Sequence, residues 1–272
     1  MKIDFFRKQY STSEILYHYI DYTGKLILDF LEAIGKSGMF LIKSIIGLFQ
    51  CGCKVKNVSE QMLFIGVKSS FIIILTGVFT GMVLALQGYY SLSKFGATAL
   101  LGPAVALTLI RELGPVLTAL MVVARAGSAL TAEIGTMRVT EQIDAIEIMG
   151  IDPFSYLIMP NMVAAIIAFP LLTAIFDVVG VWGGCLVAVQ LLNLSMGSYF
   201  GEMSSYVEMS DITNGIIKSV IFAVIVLWIC LYMGFYTKGG AKGVSTSTTR
   251  AVVFSAVHIF MWDYLLTSIL GY

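Results

Sequence analysis

Five long apolar runs limit what this chain of 272 residues can fold into. They occupy about 62–90, 99–130, 154–190, 212–236 and 251–270. Each run reaches the ~20 residues that a helix needs to cross the hydrocarbon core of a bilayer. Because lipid offers no hydrogen-bond partners, a crossing segment must satisfy its backbone groups internally, as an α-helix does. With 58% hydrophobic and only 12% charged residues, the chain is predicted to be an all-α integral membrane protein with five transmembrane helices.

The run at 154–190 is too long for a single upright crossing. At a rise of ~1.5 Å per residue it would extend ~55 Å, against a hydrocarbon core of ~30 Å. Pro160, Pro170 and the glycines at 180, 183 and 184 favour a kinked, broken helix. A tight hairpin near Asp177 is the alternative, and it would raise the number of spans to six.

The charges of the loops predict the orientation in the membrane. Basic residues precede span one, separate spans two and three, and separate spans four and five: Lys54, Lys56, Arg138, Lys238, Lys242 and Arg250. The stretch 191–211 carries three acidic residues and no lysine or arginine. Because basic loops tend to stay in the cytoplasm, we expect a cytoplasmic N-terminus, an external 191–211 loop and an external Tyr272. The formal net charge is zero, so bulk charge indicates no nucleic-acid partner.

The sequence divides into an N-terminal region, 1–60, and a transmembrane domain, 61–272. In the N-terminal region, charged residues at spacings of 4, 3, 4 and 7 share one helical face: Lys25, Asp29, Glu32, Lys36 and Lys43. Ile27, Phe30, Leu31 and Ile34 would point into lipid. This pattern predicts an amphipathic helix that lies in the membrane interface. A helix packed on the protein's own spans is the alternative.

A short amphipathic helix is predicted between spans two and three, at about 140–149. Thr140 is typical of a helix start, Gly150 of a helix end with positive φ, and Asp152-Pro153 of the next helix start. The helix has an acidic face and an apolar face: Glu141, Asp144 and Glu147 on one, Ile143, Ile146 and Met149 on the other. An apolar face outside the membrane needs a partner. We therefore predict a cytoplasmic docking helix, with a merely solvated acidic surface as the alternative.

Charged residues also interrupt the predicted spans. Arg111 and Glu112 lie about 12 residues from the outer start of span two, which places them ~18 Å deep, near the midplane. Asp177 is a further charged residue in span three, and Lys218 is one in span four. An unpaired charge at that depth is costly, and neighbours at i and i+1 do not face each other. We expect each charge to pair with another helix or to face a water-filled cavity, and a structural role and a direct role in transport both stay open.

Small residues recur in span one, at Gly77, Gly81 and Ala85. Such a stripe allows a second helix to approach closely in lipid, and structural packing is its expected meaning. Gln87 and Tyr89 follow near the outer interface. Their position fits either a contact with a lipid headgroup or an aromatic belt.

No motif predicts a catalytic residue, a metal site or a cofactor bound by this chain. Gly35-Lys36-Ser37 ends like a phosphate-binding loop, but Phe30 occupies the position of that motif's first glycine. The chain has two histidines and no nucleophile elbow, so neither a catalytic triad nor a paired-histidine metal site is indicated. The energy for any transport is expected to come from another subunit.

Three blocks of the sequence are distinctive: GVFTGMVLALQGY at 77–89, RELGPVLTALMVVARAGSALTAEIGTMRVTEQIDAIEIMG at 111–150 and FPLLTAIFDVVGVWGG at 169–184. They closely resemble the MlaE/YrbE family of ABC-transporter permeases, and the resemblance covers roughly 60–270. It implies a permease homodimer in the bacterial inner membrane, bound to two cytoplasmic ATPase subunits that hold ATP and Mg²⁺. It also implies a periplasmic hexameric ring of MCE (mammalian cell entry) protein and often a small STAS-domain regulator. The implied activity is phospholipid traffic that serves the lipid asymmetry of the outer membrane.

The same resemblance assigns candidate residues. It makes 140–149 the coupling helix, with five candidate residues for contact with the ATPase: Arg138, Thr140, Glu141, Asp144 and Glu147. It places a lipid pocket along spans one, two and five, with five candidates in span one: Val78, Gly81, Leu84, Gln87 and Tyr89.

Two other functions stay open at this point. An ion-coupled secondary transporter would use Arg111, Glu112 and Asp177 as a relay, and it predicts an internal repeat, of which the sequence gives no convincing sign. A passive membrane anchor for a periplasmic complex predicts that removal of the docking helix leaves function intact.

Overall fold

The computed structural model describes residues 55–270, residues 35–46, and positions 21, 22, 24, 25, 28, 31 and 32. This part of the chain contains helices and turns and no strand. Its shorter helices are α1, described at 35–46, α4 (Gln142–Ile148) and α6 (Met196–Tyr206). Five of its helices are long and apolar enough to cross a membrane: α2 (Val55–Ser93), α3 (Thr98–Val139), α5 (Phe154–Gln190), α7 (Met209–Phe235) and α8 (Gly240–Leu270). The predicted fold class and number of spans are confirmed.

Helix α5 is one unbroken helix of 37 residues. The predicted break is therefore wrong, and so are the hairpin near Asp177 and the six-span alternative. Pro170 lies inside the helix and removes one backbone hydrogen bond without ending it. The start of α5 is as predicted. The Asp152 carboxylate accepts hydrogen bonds from the backbone N–H groups of Phe154 and Ser155, at 3.3 and 3.1 Å, and Pro153 stands at the first helical position.

Glycines bring the backbones of α2 and α5 into direct contact. A Cβ atom added to Gly81 would lie 1.8 Å from the carbonyl oxygen of Gly180, and one added to Gly183 would lie 2.5 Å from that of Val78. Gly77 faces Phe176 in the same way, at 3.1 Å. The small-residue stripe therefore serves close helix packing within the chain, as predicted.

Helix α3 contacts all four other long helices, and two widened π-helical turns interrupt it, at Leu109–Leu113 and Val123–Gly127. Arg125 in the second turn reaches α2, which has its own π-helical turn at Leu63–Val67. The guanidinium donates hydrogen bonds to the Phe64 carbonyl at 2.6 Å and to Ser69 Oγ at 2.7 Å, and it lies 4.9 Å from the centre of the Phe64 ring. Arg125 thus fixes α3 to α2 at the level of their widened turns.

The turn between α3 and α4 differs from its prediction. Thr140 does not cap α4, because its hydroxyl donates to the carbonyl of Thr136 in the last turn of α3. Glu141 makes the turn with a φ of 60°, and α4 begins only at Gln142. The predicted cap at Thr140 is therefore wrong, since that residue belongs to the end of the preceding helix. Gly150 has a φ of 77°, as expected.

Helix α1 packs on the membrane domain through Phe40, which is 2% exposed. The Phe40 ring contacts Phe154 at the start of α5 and Phe235 at the end of α7, with ring centres 5.2 and 5.9 Å apart. The indole N–H of Trp228 donates to the Ser37 carbonyl at 2.9 Å. These contacts fit the alternative of a helix packed on the protein's own spans, while the position of α1 in the membrane interface stays a prediction. Several residues used for the predictions lie outside the described part: Ile27, Asp29, Phe30, Ile34, Lys54 and Tyr272.

The predicted external loop contains α6, which covers one end of the bundle. Tyr199 in α6 is buried, its backbone lies against Gly102, and its hydroxyl donates to the Val181 carbonyl at 3.3 Å. Burial raises the pKa of the Tyr199 phenol far above its usual range, so this group stays a donor. At the other end, α8 begins at Gly240, so Arg250 lies inside that helix and not in the loop before it.

Candidate functional site

A cavity of about 220 Å³ lies between the last turns of α2 and the start of α3. Leu84, Gln87 and Ser91 line it from α2, and Ala104, Val105 and Thr108 line it from α3. Its wall is therefore mainly apolar, with hydroxyl groups and one amide. The volume is below the ~300–1,000 Å³ of a typical ligand pocket, so the cavity would hold only part of a lipid, whose chains are apolar and whose headgroup needs hydrogen-bond partners.

The predicted lipid-pocket candidates separate into two groups. Leu84 and Gln87 line this cavity. Gly81 is buried against Gly180, and the backbone of Val78 lies against Gly183. Tyr89 is half-buried and packs against the hydrophobic core. The structure thus brings two of the five candidates to the cavity, and the other three lie on the packed faces of α2.

Arg111 pairs with Asp211, the third residue of α7. Its Nε and Nη2 atoms lie 2.7 and 2.6 Å from Asp211 Oδ1. The second carboxylate oxygen of Asp211 accepts the backbone N–H of Glu208 at 3.0 Å and completes a capping box at the start of α7. The Arg111 guanidinium therefore lies level with the first turn of α7. The depth of this ion pair in the membrane stays a prediction.

The side chain of Lys218 is completely buried, and it joins three long helices. Its Nζ atom lies 2.8 Å from Glu112 Oε2 in α3 and 3.4 Å from Asp263 Oδ1 in α8. It also donates to Thr267 Oγ1 at 2.8 Å. A buried ammonium needs this compensation, because its desolvation is costly. We call Glu112, Lys218 and Asp263 the buried charge cluster.

Arg111 and Glu112 are consecutive residues of one π-helical turn, and each pairs with a different residue of α7. The expectation that they pair with another helix is confirmed. Both side chains are also about one-third exposed, at 33% and 35%, so one side of each ion pair is open. Arg111 lies one turn beyond Thr108, which lines the cavity. The two charged residues therefore follow the cavity-lining part of α3 by about one helical turn.

Asp177 takes no part in these pairs. Its Oδ1 atom is buried and accepts no hydrogen bond from any described residue. The carboxylate lies against the backbone of α3, since a Cβ atom added to Gly114 would come within 2.0 Å of it. Asp177 therefore forms no ion pair with Arg111, although it lies against Gly114, two residues after Glu112.

Helix α4 lies at the opposite end of α3 from the cavity. Arg138 forms an ion pair with Asp144 at 2.5 Å, and its guanidinium lies 5.8 Å from the Phe235 ring. Asp144, one of the three predicted acidic residues, is thus paired within the chain, whereas Glu141 and Glu147 are exposed. The apolar face divides too: Ile143 is fully buried by this chain, while Met149 is 66% exposed and its neighbour Ile148, which the prediction omitted, is 87% exposed.

Some residues of the site were missed by the sequence analysis. Asp211 was read only as a loop charge, and Asp263 and Arg125 were not singled out. A signal was available, because each is a charged residue within or next to an apolar run. The described residues contain no group of three or more histidines, cysteines or carboxylates placed to hold a metal ion.

Comparison with known proteins places these features in a family. The family described as Permease MlaE matches residues 58–269. The intermembrane phospholipid transport system permease protein MlaE of Haemophilus influenzae is 44% identical over 94% of this chain and 98% of its own length. A probable ABC transporter permease of Rickettsia conorii is 39% identical over the same shares of the two chains. The chloroplast protein TRIGALACTOSYLDIACYLGLYCEROL 1 of Arabidopsis thaliana is 38% identical over 78% of this chain and 61% of its own length.

Proposed function

The chain belongs to the MlaE permease family, and we propose that it moves phospholipid through the cavity between α2 and α3. The observation that carries this proposal is the cavity itself, with its apolar wall, its few polar groups and the adjoining ion pairs. The name of the Haemophilus relative supplies the substrate class. An ABC permease is driven by nucleotide hydrolysis, so the ion-coupled carrier is not retained.

The ATP and Mg²⁺ would be bound by a separate ATPase subunit, with α4 as the surface that receives it. Ile148, Met149 and Glu147 support this role, because they form an exposed patch of mixed character next to the end of α3. Arg138 would hold α4 in place through its ion pair with Asp144. Thr140 and Glu141 would contribute to this surface by setting the geometry of the turn between α3 and α4.

The remaining parts of the proposal follow from the family resemblance. The chain would form a homodimer in the bacterial inner membrane, with its N-terminus and α4 in the cytoplasm. A hexameric MCE-domain protein would take up or deliver lipid on the periplasmic side, where α6 covers the bundle, and a STAS-domain protein would join the ATPase. Lipid exchange of this kind would maintain the asymmetry of the outer membrane.

The experiment that tests this function fills the cavity. Ala104 lines it with an exposed small side chain, so Ala104→Trp should abolish phospholipid transfer by the reconstituted complex while the ATPase still co-purifies. Val178→Trp is the matched control, because Val178 is 69% exposed on α5 (span three), which is not among the spans assigned to the pocket. Lipid transfer by Ala104→Trp at the rate of Val178→Trp would refute the assignment of the cavity.

A further inference from the structure

A second cavity, of about 170 Å³, lies at the end of the bundle that carries α4. Its polar residues come from three helices: Asn57, Glu60 and Gln61 of α2, Glu133 of α3, and Tyr156 and Asn161 of α5. None of the described residues that line it is basic. The proposed lipid path between α2 and α3 does not use it.

Two residues that line this cavity, Gln61 and Asn161, have amide oxygens that are unpaired among the described residues. Asn161 is only 5% exposed. Its Nδ2 atom donates to the Leu157 carbonyl at 2.8 Å. This hydrogen bond fixes the orientation of the amide and leaves the Oδ1 atom without a donor. That oxygen accepts no hydrogen bond from any described residue, and neither does the buried Oε1 atom of Gln61. Leaving such groups unpaired costs ~1–3 kcal/mol each, so the cavity favours a ligand that donates hydrogen bonds.

The charge of the cavity defines the ligand further. Glu60 and Glu133 are exposed, and neither forms an ion pair with a described residue. Two carboxylates and two amide oxygens favour a cation. A single water or bare ion needs only ~30 Å³, so a cavity of about 170 Å³ has room for a cationic group with a carbon stem. A primary ammonium group fits both requirements, because it is positively charged and donates three hydrogen bonds.

The depth of the cavity identifies the source of that group. Helices α2 and α5 have 39 and 37 residues and extend ~58 and ~55 Å, so ~13 Å of each projects from either side of a ~30 Å hydrocarbon core. Glu60 and Asn161 lie five and seven residues after the starts of these helices, and Glu133 lies six residues before the end of α3. At ~1.5 Å per residue these side chains lie ~8–10 Å from the helix ends, at the level of the lipid headgroups.

We infer that this cavity binds the ammonium headgroup of an ethanolamine phospholipid in the leaflet on the α4 side. The inference rests on the proposed function for its membrane orientation, which makes that leaflet the cytoplasmic one. Lipids with a choline headgroup carry a quaternary ammonium that donates no hydrogen bond, and phosphatidylglycerol has no cation. The cavity should therefore select phosphatidylethanolamine over both.

The test uses the full chain carrying Ala104→Trp, so that lipid in the outer cavity does not contribute. The protein is placed in nanodiscs with equal amounts of phosphatidylethanolamine, phosphatidylcholine and phosphatidylglycerol, and the retained lipids are counted by native mass spectrometry after release into detergent. We expect retention of phosphatidylethanolamine alone. Adding Glu133→Gln, which changes an exposed side chain, should lower that retention about tenfold, as the loss of one charged hydrogen-bond partner predicts. Asn161→Leu should lower it similarly.

The matched controls are Glu202→Gln and Asn214→Leu, which make the same chemical changes away from the cavity and should retain the lipid. Equal retention of phosphatidylcholine, or phosphatidylethanolamine retention that is unchanged by Glu133→Gln, would overturn the inference. The inference would also be overturned if the isolated chain retained no lipid and a cross-linker joined position 133 to a lysine of the ATPase. Stabilisation by NaCl or MgCl₂ that depends on Glu133 would assign the cavity to an inorganic cation instead. None of these measurements requires transport. The proposed function is tested separately, by the lipid transfer rate of Ala104→Trp.

Discussion

Replacing Gly81 by alanine tests the closest approach of a glycine to another helix among the described residues. The new Cβ atom would lie 1.8 Å from the carbonyl oxygen and 2.6 Å from the carbonyl carbon of Gly180. An ordinary contact begins near 3.4 Å, so α2 and α5 must separate locally by about 3.4 − 1.8 = 1.6 Å. Both groups in contact with the Cβ atom belong to the backbone, which cannot turn aside as a flexible side chain does.

The expected cost follows from overpacking. One extra methyl group in a well-packed interior costs ~1–3 kcal/mol, and the loss of close approach weakens helix association in lipid further. We expect the thermal unfolding midpoint to fall by ~5 °C or more, measured as the fraction of purified protein that still elutes as a folded peak after heating in detergent. Bulkier residues such as leucine should reduce the amount of folded protein in the membrane.

Gly66→Ala is the matched control for this experiment. Gly66 lies in the same helix, and its added Cβ atom would lie 3.6 Å from the Cβ atom of Ala168, an ordinary contact. Its midpoint should stay within a degree or two of the wild type. If Gly81→Ala and Gly66→Ala unfold at the same temperature, the two backbones do not touch at Gly81 and the packing argument fails.

Three further predictions concern charge, docking and orientation. Lys218→Met should destabilise the protein by ~1–3 kcal/mol, less than the loss of a fully buried pair, because Glu112 and Asp263 lose their cation but keep partial access to water; an unchanged unfolding midpoint would show that water already compensates them. Ile148→Asp should reduce co-purification of the ATPase at an unchanged membrane level, since Ile148 is 87% exposed on α4, whereas Tyr206→Asp at the other end of the bundle should not. Ser205→Cys, in a background without native cysteines, should react with an impermeant maleimide added to intact spheroplasts, and reaction only after lysis would contradict the predicted orientation.

The five spans could be predicted because membrane crossing depends on a simple quantity, the length of an apolar run. The start of α5 was equally accessible, because Asp152-Pro153 determines a local backbone geometry. Local rules failed at Thr140, where two helices meet within a few residues. A threonine there satisfies the end of the first helix or the start of the second, and the sequence does not distinguish these two uses.

The ion pairs could not be predicted from short stretches of sequence, for a different reason. Arg111 and Asp211 are 100 residues apart, and their meeting depends on how far α3 extends past α7. Two π-helical turns lie within α3, and the apolar pattern of the sequence does not reveal them. Counting residues from the first apolar position therefore could not identify the partner of Arg111. What the sequence did predict correctly was the cost of an unpaired charge, and hence that Arg111 and Glu112 each had a partner.

The two attachments of α3 have a mechanical consequence. Between Glu112, tied to Lys218 of α7, and Arg125, tied to Phe64 of α2, the helix runs for ~20 Å at 1.5 Å per residue. Beyond Arg125 the helix continues to the turn at Glu141, and α4 begins directly after that residue. Helix α3 therefore joins α4 to the cavity end, and its two π-helical turns, Leu109–Leu113 and Val123–Gly127, carry these two attachments. Because one helix connects the two surfaces, we expect opening and closing of the cavity to accompany tilting of α4.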